Sequence, residues 1–391
     1  MRPPRILFVI NSLAGGGAER VLLTLLEASA ELAGRAELSL ALLDDEPRAY
    51  TIPRWLPVHQ LDARHSLARS VVQLRKLVRR QRPDLIVSFL TRSNMATTIL
   101  ARLENIPNVI SERANTSGHF APGLKGALSK RMIATIYPRA TKVIAVSQGI
   151  AADLVENFGV RAQNVVAIPN PLDADRVRAA AGEDLALPVA KPFGVVVSRL
   201  TRGKNVITAV EAFARSGLDH SLVIFGEGPE RDAIEAHAAA RGLADRVVMP
   251  GFSQNPFAIM RHADFYLSAS NGEGFPNSLV EALALGLPAI ATNCASGPSE
   301  VLADLPREQV SGLTFAPYGI LTDTNDADQL AAAMRAVAEH GARLREAGPR
   351  RAAEFGVEQA KKRYWSVFGE ALGRPHMLEE TGVASAGGAP A

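Results

Sequence analysis

A single cysteine, Cys294, stands in 391 residues. One thiol cannot close an internal disulfide or build a cysteine-rich metal site, so disulfide scaffolds and zinc modules are excluded and a reducing compartment is the natural setting. No stretch approaches the roughly 18 to 20 consecutive apolar residues that span a bilayer. The apolar run 6–10 is shorter than a secretory h-region of roughly 7 to 15 residues and reads as a first strand. The formal net charge of +3 is too small to imply nucleic acid. With 47% hydrophobic and 21% charged residues, the chain also lacks the composition of a disordered protein. No internal repeat of fixed period is present.

The small net charge conceals an asymmetry. Residues 1–140 carry 20 Lys plus Arg against 11 Asp plus Glu, so a basic front precedes an acidic remainder. At roughly 150 residues per domain, the length suggests two large domains. Short apolar runs alternate with stretches of period near 3.6 along the whole chain. Strands are expected at 5–12, 37–43, 58–61, 84–90, 108–112, 142–147 and 165–168, and again at 193–200, 221–226, 246–249, 264–269 and 288–292. Helices are expected at 18–33, 66–80, 149–158, 206–216, 229–241, 255–262, 276–285, 327–340 and 357–372. Continuous apolar strands alternating with helices define an α/β protein with parallel sheets covered on both faces. Two Rossmann-like doubly wound domains facing across a cleft are expected, with ligands beyond the carboxyl ends of the strands. The predicted division is 1–172, a linker at 173–192, a second domain at 193–355, a last helix at 356–372 and a disordered Gly, Ala and Pro-rich tail at 373–391.

Two glycine clusters follow strands, GGGAER from Gly15 to Arg20 and GEGPER from Gly226 to Arg231. Glycines between a strand and a helix let backbone amides approach an anion. Neither cluster is the dinucleotide fingerprint, because Arg20 and Arg231 occupy the position of the third glycine. Walker A is absent too, since Ser198 stands where Gly203-Lys204 requires a glycine. The segment SRLTRGKN instead places Arg199 and Lys204 at a sheet edge, where a guanidinium and an ammonium can hold the two phosphates of a diphosphate leaving group. In EGFPNSLVE, Pro276 suits the first position of a helix. Gly274, Phe275, Pro276 and Asn277 then form an anion-facing helix start, with Glu273 before it and Glu281 about one turn inside. Two carboxylates so placed can grip different parts of one ligand, each accepting from vicinal hydroxyls.

GGGAER, the IPN at residues 168–170, SRLTRGKN, GEGP and above all the E-x7-E of EGFPNSLVEALALGLPAIAT resemble the retaining glycosyltransferases of family 4, of GT-B fold. The resemblance runs from about residue 5 to 371. It implies a C-terminal half that binds a nucleotide-sugar donor and an N-terminal half that binds the acceptor. Arg199 and Lys204 would contact the donor diphosphate, Glu273 the sugar hydroxyls and Glu281 the ribose, with Gly16 and Gly17 closing on the donor from the other domain. It further implies retention without a metal or cofactor, the departing phosphate helping to deprotonate the acceptor hydroxyl. The Asp-x-Asp runs at Asp173 and Asp326 read as linker and helix-start acids. Many relatives carry a histidine after the fifth strand, where this chain has ISERAN. Glu112, Arg113 or Asn115 would take its place, with His119 a further acceptor-side candidate. That wording resembles the subgroup acting on hexoses and amino sugars in lipopolysaccharide core, capsule and lipid-linked oligosaccharide assembly. A nucleotide-sugar epimerase or phosphorylase of the same fold, or a non-catalytic sugar-nucleotide binder, is the alternative.

One segment bears on location. Residues 66–82 place Leu67, Val71, Leu74 and Val78 on one stripe, with Arg69, Arg75, Lys76, Arg79, Arg80 and Arg82 elsewhere. Either a basic helix lies on an anionic membrane surface, or the stripe faces the core and the basic side is solvated. The expectation is a cytoplasmic protein, peripheral on the inner membrane face in the first case.

Overall fold

The computed structural model describes residues 2–32, 34–119 and 123–375. Seven strands form the first sheet: β1 (Arg5–Ile10), β2 (Glu37–Leu42), β3 (Val58–Gln60), β4 (Leu85–Phe89), β5 (Asn108–Glu112), β6 (Lys142–Ala145) and β7 (Val165–Ala167), in the order β3-β2-β1-β4-β5-β6-β7. All its pairings are parallel. The central strands β4 and β5 are buried at every position, as a parallel sheet with helices on both faces requires.

The second sheet holds β8 (Phe193–Val197), β9 (Ser221–Phe225), β10 (Val247–Gly251), β11 (Phe265–Ser268), β12 (Ala289–Thr292), β13 (Thr314–Phe315) and β14 (Ile320–Thr322), ordered β10-β9-β8-β11-β12-β14-β13. Only β13 and β14 run antiparallel. Those two strands, of two and three residues, are too short to leave an alternation in the sequence. Strand order reverses between β1 and β4 in the first sheet and between β8 and β11 in the second. A crevice opens beyond the carboxyl ends at such a reversal. It falls where Gly15–Gly17 follow β1 and where Ser198–Lys204 follow β8.

The structure departs from the sequence expectation at several helices. Helices Thr91–Glu104 and Leu124–Ile136 lack a strong apolar stripe and leave no periodic signal in the sequence. The expected linker contains a helix, Ala174–Ala181, whose first turn is capped by Asp173 accepting from the Arg176 amide at 2.9 Å. Asp326 does the same for Gln329 at 2.9 Å, so both Asp-x-Asp runs begin helices. The helix expected to stop at residue 340 continues as Ala327–Ala353, through Gly341 and Pro349. Gly348 lets it approach helix Asn277–Ala284, since a Cβ there would lie 3.0 Å from the Leu283 carbonyl oxygen. Tertiary packing overrides the breaker signal.

The last helix, Val357–Ala371, packs into the first sheet's core. Tyr364, Trp365, Val367 and Phe368 join Phe8, Leu22, Leu26 and Phe89 in one apolar cluster. The Trp365 indole donates to Ser29 Oγ at 2.9 Å, and Lys361 reaches Glu31 at 2.7 Å. Of the expected tail, residues 376–391 lie outside the described residues.

In helix Leu67–Gln81, Leu74, Leu77 and Val78 enter a core cluster with Leu7 and Val9. Of the expected stripe, Leu74 and Val78 thus face the core while Leu67 and Val71 are half-buried, and Arg75 and Arg79 both bind Glu104, at 2.5 and 3.1 Å. Arg69, Lys76, Arg80 and Arg82 stay exposed with no ion pair among the described residues. No helix among the described residues is long and apolar enough to cross a membrane. Cys294 is buried, and burial pushes its thiol up to about 12, an inert group at neutral pH.

Candidate active site

After β8 the chain passes through Ser198–Leu200 into a short turn, Arg202–Lys204, and then helix Val206–Ser216. Gly226, at φ +130°, allows this crossing: a Cβ there would lie 1.8 Å from the Ser198 carbonyl oxygen. GEGP is therefore a close-approach turn that supports the Arg199 loop. Arg199 is exposed and makes no close ion pair among the described residues, although its charge acts on Glu19.

Lys204 behaves differently. Its ammonium lies 2.6 and 2.7 Å from the two oxygens of Glu273, whose side chain is only 10% exposed. Ser270 Oγ donates to the same carboxylate at 2.6 Å, and Ser296 Oγ donates to the Glu273 carbonyl at 2.6 Å. The two groups expected to touch separate parts of a ligand are thus bonded to each other. An ammonium has three donors, so with two serving the oxygens of Glu273 one remains.

The segment after β11 ends in helix Asn277–Ala284, with Pro276 one position before its first residue rather than in it. The Phe275 ring packs edge-on against Phe355, with centroids 5.4 Å apart, so Phe275 offers only its main chain to a ligand. Beneath this segment, the Tyr266 hydroxyl meets Ser278 Oγ at 2.8 Å. Burial raises that phenol above its ordinary range, and Glu273 and Glu281 add to the effect.

Contacts cross between the two sheets. A Cβ on Gly274 would fall 2.1 Å from the Arg113 carbonyl oxygen, so the donor-side loop abuts the loop after β5. The variant Gly274→Ala is expected to part the two loops and lower turnover at least tenfold while the two sheets stay folded, by analogy with the roughly 10²-fold cost of a 1 Å misplacement. Wild-type turnover would show that this approach has no role. A Cβ on Gly17 would lie 3.1 Å from Asn277 Nδ2, and the Gly16 carbonyl accepts from the Tyr50 hydroxyl at 3.0 Å. Glu19 is half-buried in the same opening; burial raises its carboxyl above the usual range, opposed by its own amide and by Arg199 and Arg113.

The candidates after β5 prove to be framework rather than open groups. Glu112 is 2% exposed, accepts from the Tyr137 hydroxyl at 2.5 Å and from the amides of Arg113 and Ala114 at 3.0 and 3.3 Å. The Arg113 guanidinium lies over the Phe89 ring at 5.4 Å, donates to the Tyr364 hydroxyl at 2.8 Å and binds Asn170 Oδ1. Asn170 in turn donates to Asn277 Oδ1 at 2.7 Å, completing a strut from the first sheet to the second. Asn115 accepts from the Gly118 amide at 2.8 Å within its own turn. His119 closes the short helix Thr116–His119, and its side chain lies outside the described ones.

Three groups escape a reading of the sequence alone. Arg20 Nη2 donates across the crevice to Glu281 Oε1 at 2.7 Å. Asn170 belongs to the IPN motif, but its partner is 107 residues away. Glu300 accepts from the amides of Gln148 and Gly149 at 2.6 and 3.0 Å, setting a carboxylate against the N-terminus of helix Gln148–Phe158. In the sequence Arg20 is visible only as the residue that breaks a dinucleotide motif. No group of three or more His, Cys, Asp or Glu suited to hold a metal ion occurs among the described residues.

Comparison with known proteins fits this arrangement. Residues 15–176 match Glycosyltransferase Family 4, and residues 178–353 match Glycosyl transferases group 1. The chain is 30% identical over 307 residues to N-acetylgalactosamine-N,N'-diacetylbacillosaminyl-diphospho-undecaprenol 4-alpha-N-acetylgalactosaminyltransferase of Campylobacter jejuni, covering 75% of this chain and 82% of that one. It is 29% identical over 182 residues to the lipopolysaccharide 1,6-galactosyltransferase of Escherichia coli K12, covering 45% of this chain and 48% of the relative. The fold is similar to that of Anabaena HepE in complex with UDP, with a TM-score of 0.73, 21% identity and coverage of 94% and 100%. Two largely parallel sheets facing across a crevice, with these matches, define a glycosyltransferase of GT-B architecture. The chain belongs to glycosyltransferase family 4.

Proposed function

We propose that the enzyme moves a hexose or N-acetylhexosamine from a UDP-linked donor to a lipid-linked or lipopolysaccharide saccharide, with retention at the anomeric carbon. The observation that carries this reading is the convergence of Arg199, the Lys204–Glu273 pair and Glu281 at the strand ends of one sheet. Arg199 and one Lys204 hydrogen meet the departing diphosphate, the amides around Asn277 add dipoles, and Glu273 and Glu281 accept from sugar and ribose hydroxyls. The bond from the anomeric carbon to the diphosphate breaks, and a bond to the acceptor oxygen forms on the same face. The acceptor proton leaves with a phosphate oxygen. Support for the acceptor class comes from the names of the Campylobacter and Escherichia relatives, and for the nucleotide from the UDP held by HepE.

The test is titration calorimetry with UDP, followed by UDP release in the presence of a panel of lipid-linked saccharides. The variant Glu281→Gln is expected to weaken UDP binding about 10- to 150-fold, the worth of one or two charge-assisted hydrogen bonds. Unchanged affinity in that variant would remove Glu281 from the donor site. Release that does not depend on any acceptor would remove the transferase assignment of these substrates.

A further inference from the structure

Glu281 faces the crevice with a side chain only 11% exposed, and Arg20 is the one cation that pairs with it among the described residues. A carboxylate so far removed from water needs a compensating charge and donor. That compensation comes from the opposite sheet: Arg20 stands in the first turn of helix Gly17–Ala28, held by the glycine loop after β1. The guanidinium binds Oε1 at 2.7 Å. A carboxylate has about four acceptor positions on its two oxygens, so Oε2 remains for a vicinal pair of hydroxyls. The helix that carries Arg20 is fixed independently, since Gly17 approaches Asn277 and the Asn170–Asn277 bond spans the same gap.

We propose that Arg20 is a positioning residue that holds Glu281 aimed, so that selection of ribose over 2′-deoxyribose in the donor nucleotide belongs to the closed pair of domains and not to the donor domain alone. This rests on the nucleotide-sugar reading above. The alternative role of the same ion pair is a latch that nucleotide must displace on entry. The two roles have opposite signatures.

The experiment measures dissociation constants of UDP and 2′-deoxy-UDP for the full-length protein, wild type and the variants Arg20→Ala, Arg20→Lys and Glu281→Gln, with thermal unfolding recorded for each. Wild type is expected to prefer UDP by about 10- to 150-fold, the range for charge-assisted hydrogen bonds. Arg20→Ala is expected to weaken UDP binding and bring the preference close to one, as Glu281→Gln does. Arg20→Lys keeps the charge without the planar fork and is expected to restore part of the preference. An Arg20→Ala protein that keeps the wild-type preference overturns the proposal, as does one that binds UDP more tightly, which would establish the latch. If wild type binds neither nucleotide, the donor reading itself fails; if it binds and discriminates but Arg20→Ala and Arg20→Lys match it, only the assignment of Arg20 fails.

Discussion

Replacing Lys204 by alanine is expected to lower kcat/KM for sugar transfer by about 10²- to 10³-fold, the loss typical of one pre-positioned charge at a developing anion. Two effects act in the same direction. On the proposed donor, the leaving diphosphate would lose a cation, and Glu273, 10% exposed, would lose its ion-pair partner and keep the Ser270 hydrogen bond. A carboxylate without that partner would then repel the phosphates of the proposed donor. The double variant Lys204→Ala, Glu273→Gln should therefore fall short of the product of the two single losses, because removing the second charge relieves the repulsion created by removing the first. Lys204→Arg retains the sign but replaces a compact ammonium by a planar fork, and partial activity is expected. The measurement is steady-state UDP release on a verified donor and acceptor. Full turnover by Lys204→Ala would exclude the pair from the chemistry, and strictly multiplicative losses would mean that Lys204 and Glu273 act separately.

The largest stability effect is expected at Trp365. Its side chain is 1% exposed, its indole donates to Ser29 at 2.9 Å, and its ring meets Phe368 edge-on with centroids 5.7 Å apart. Trp365→Ala leaves a cavity beneath helix Val357–Ala371 and a hydroxyl without its donor, at a cost of about 3–5 kcal/mol. Urea unfolding followed by circular dichroism should show a first transition at lower denaturant, assigned to the N-terminal sheet. A loss below about 0.5 kcal/mol, the ordinary range for surface changes, would mean that the helix is not part of that core. The same variant tests a connection to the crevice. Tyr364, adjacent in sequence, accepts from Arg113, and Arg113 reaches Asn277 through Asn170. A loosened helix should lower turnover as well as stability.

Much of the fold is legible in the amino-acid sequence. Strands β9 and β12 and the helix at 206–216 stand where the sequence places them, give or take a residue, because fully buried parallel strands read as nearly continuous apolar segments. The edge of the second sheet is not legible, since β13 and β14 are too short to carry a pattern. Breakers mislead at Gly341 and Pro349, where contact with a neighbouring helix outweighs local preference. At the crevice, residue type singles out Arg199, Lys204, Glu273 and Glu281 as candidates. It does not disclose their partners.

The sequence by itself determined that this is a two-sheet α/β transferase with its charged groups at strand ends, because hydrophobic period and local motif are written in near neighbours. Tertiary structure alone decided that Lys204 is bonded to Glu273, that Arg20 binds Glu281 across 261 positions, and that Arg113 braces the domains rather than standing free. The physical reason is that a charge leaving water takes whatever partner the fold brings within about 3 Å, and that partner is set by how two sheets face each other, which no local pattern encodes.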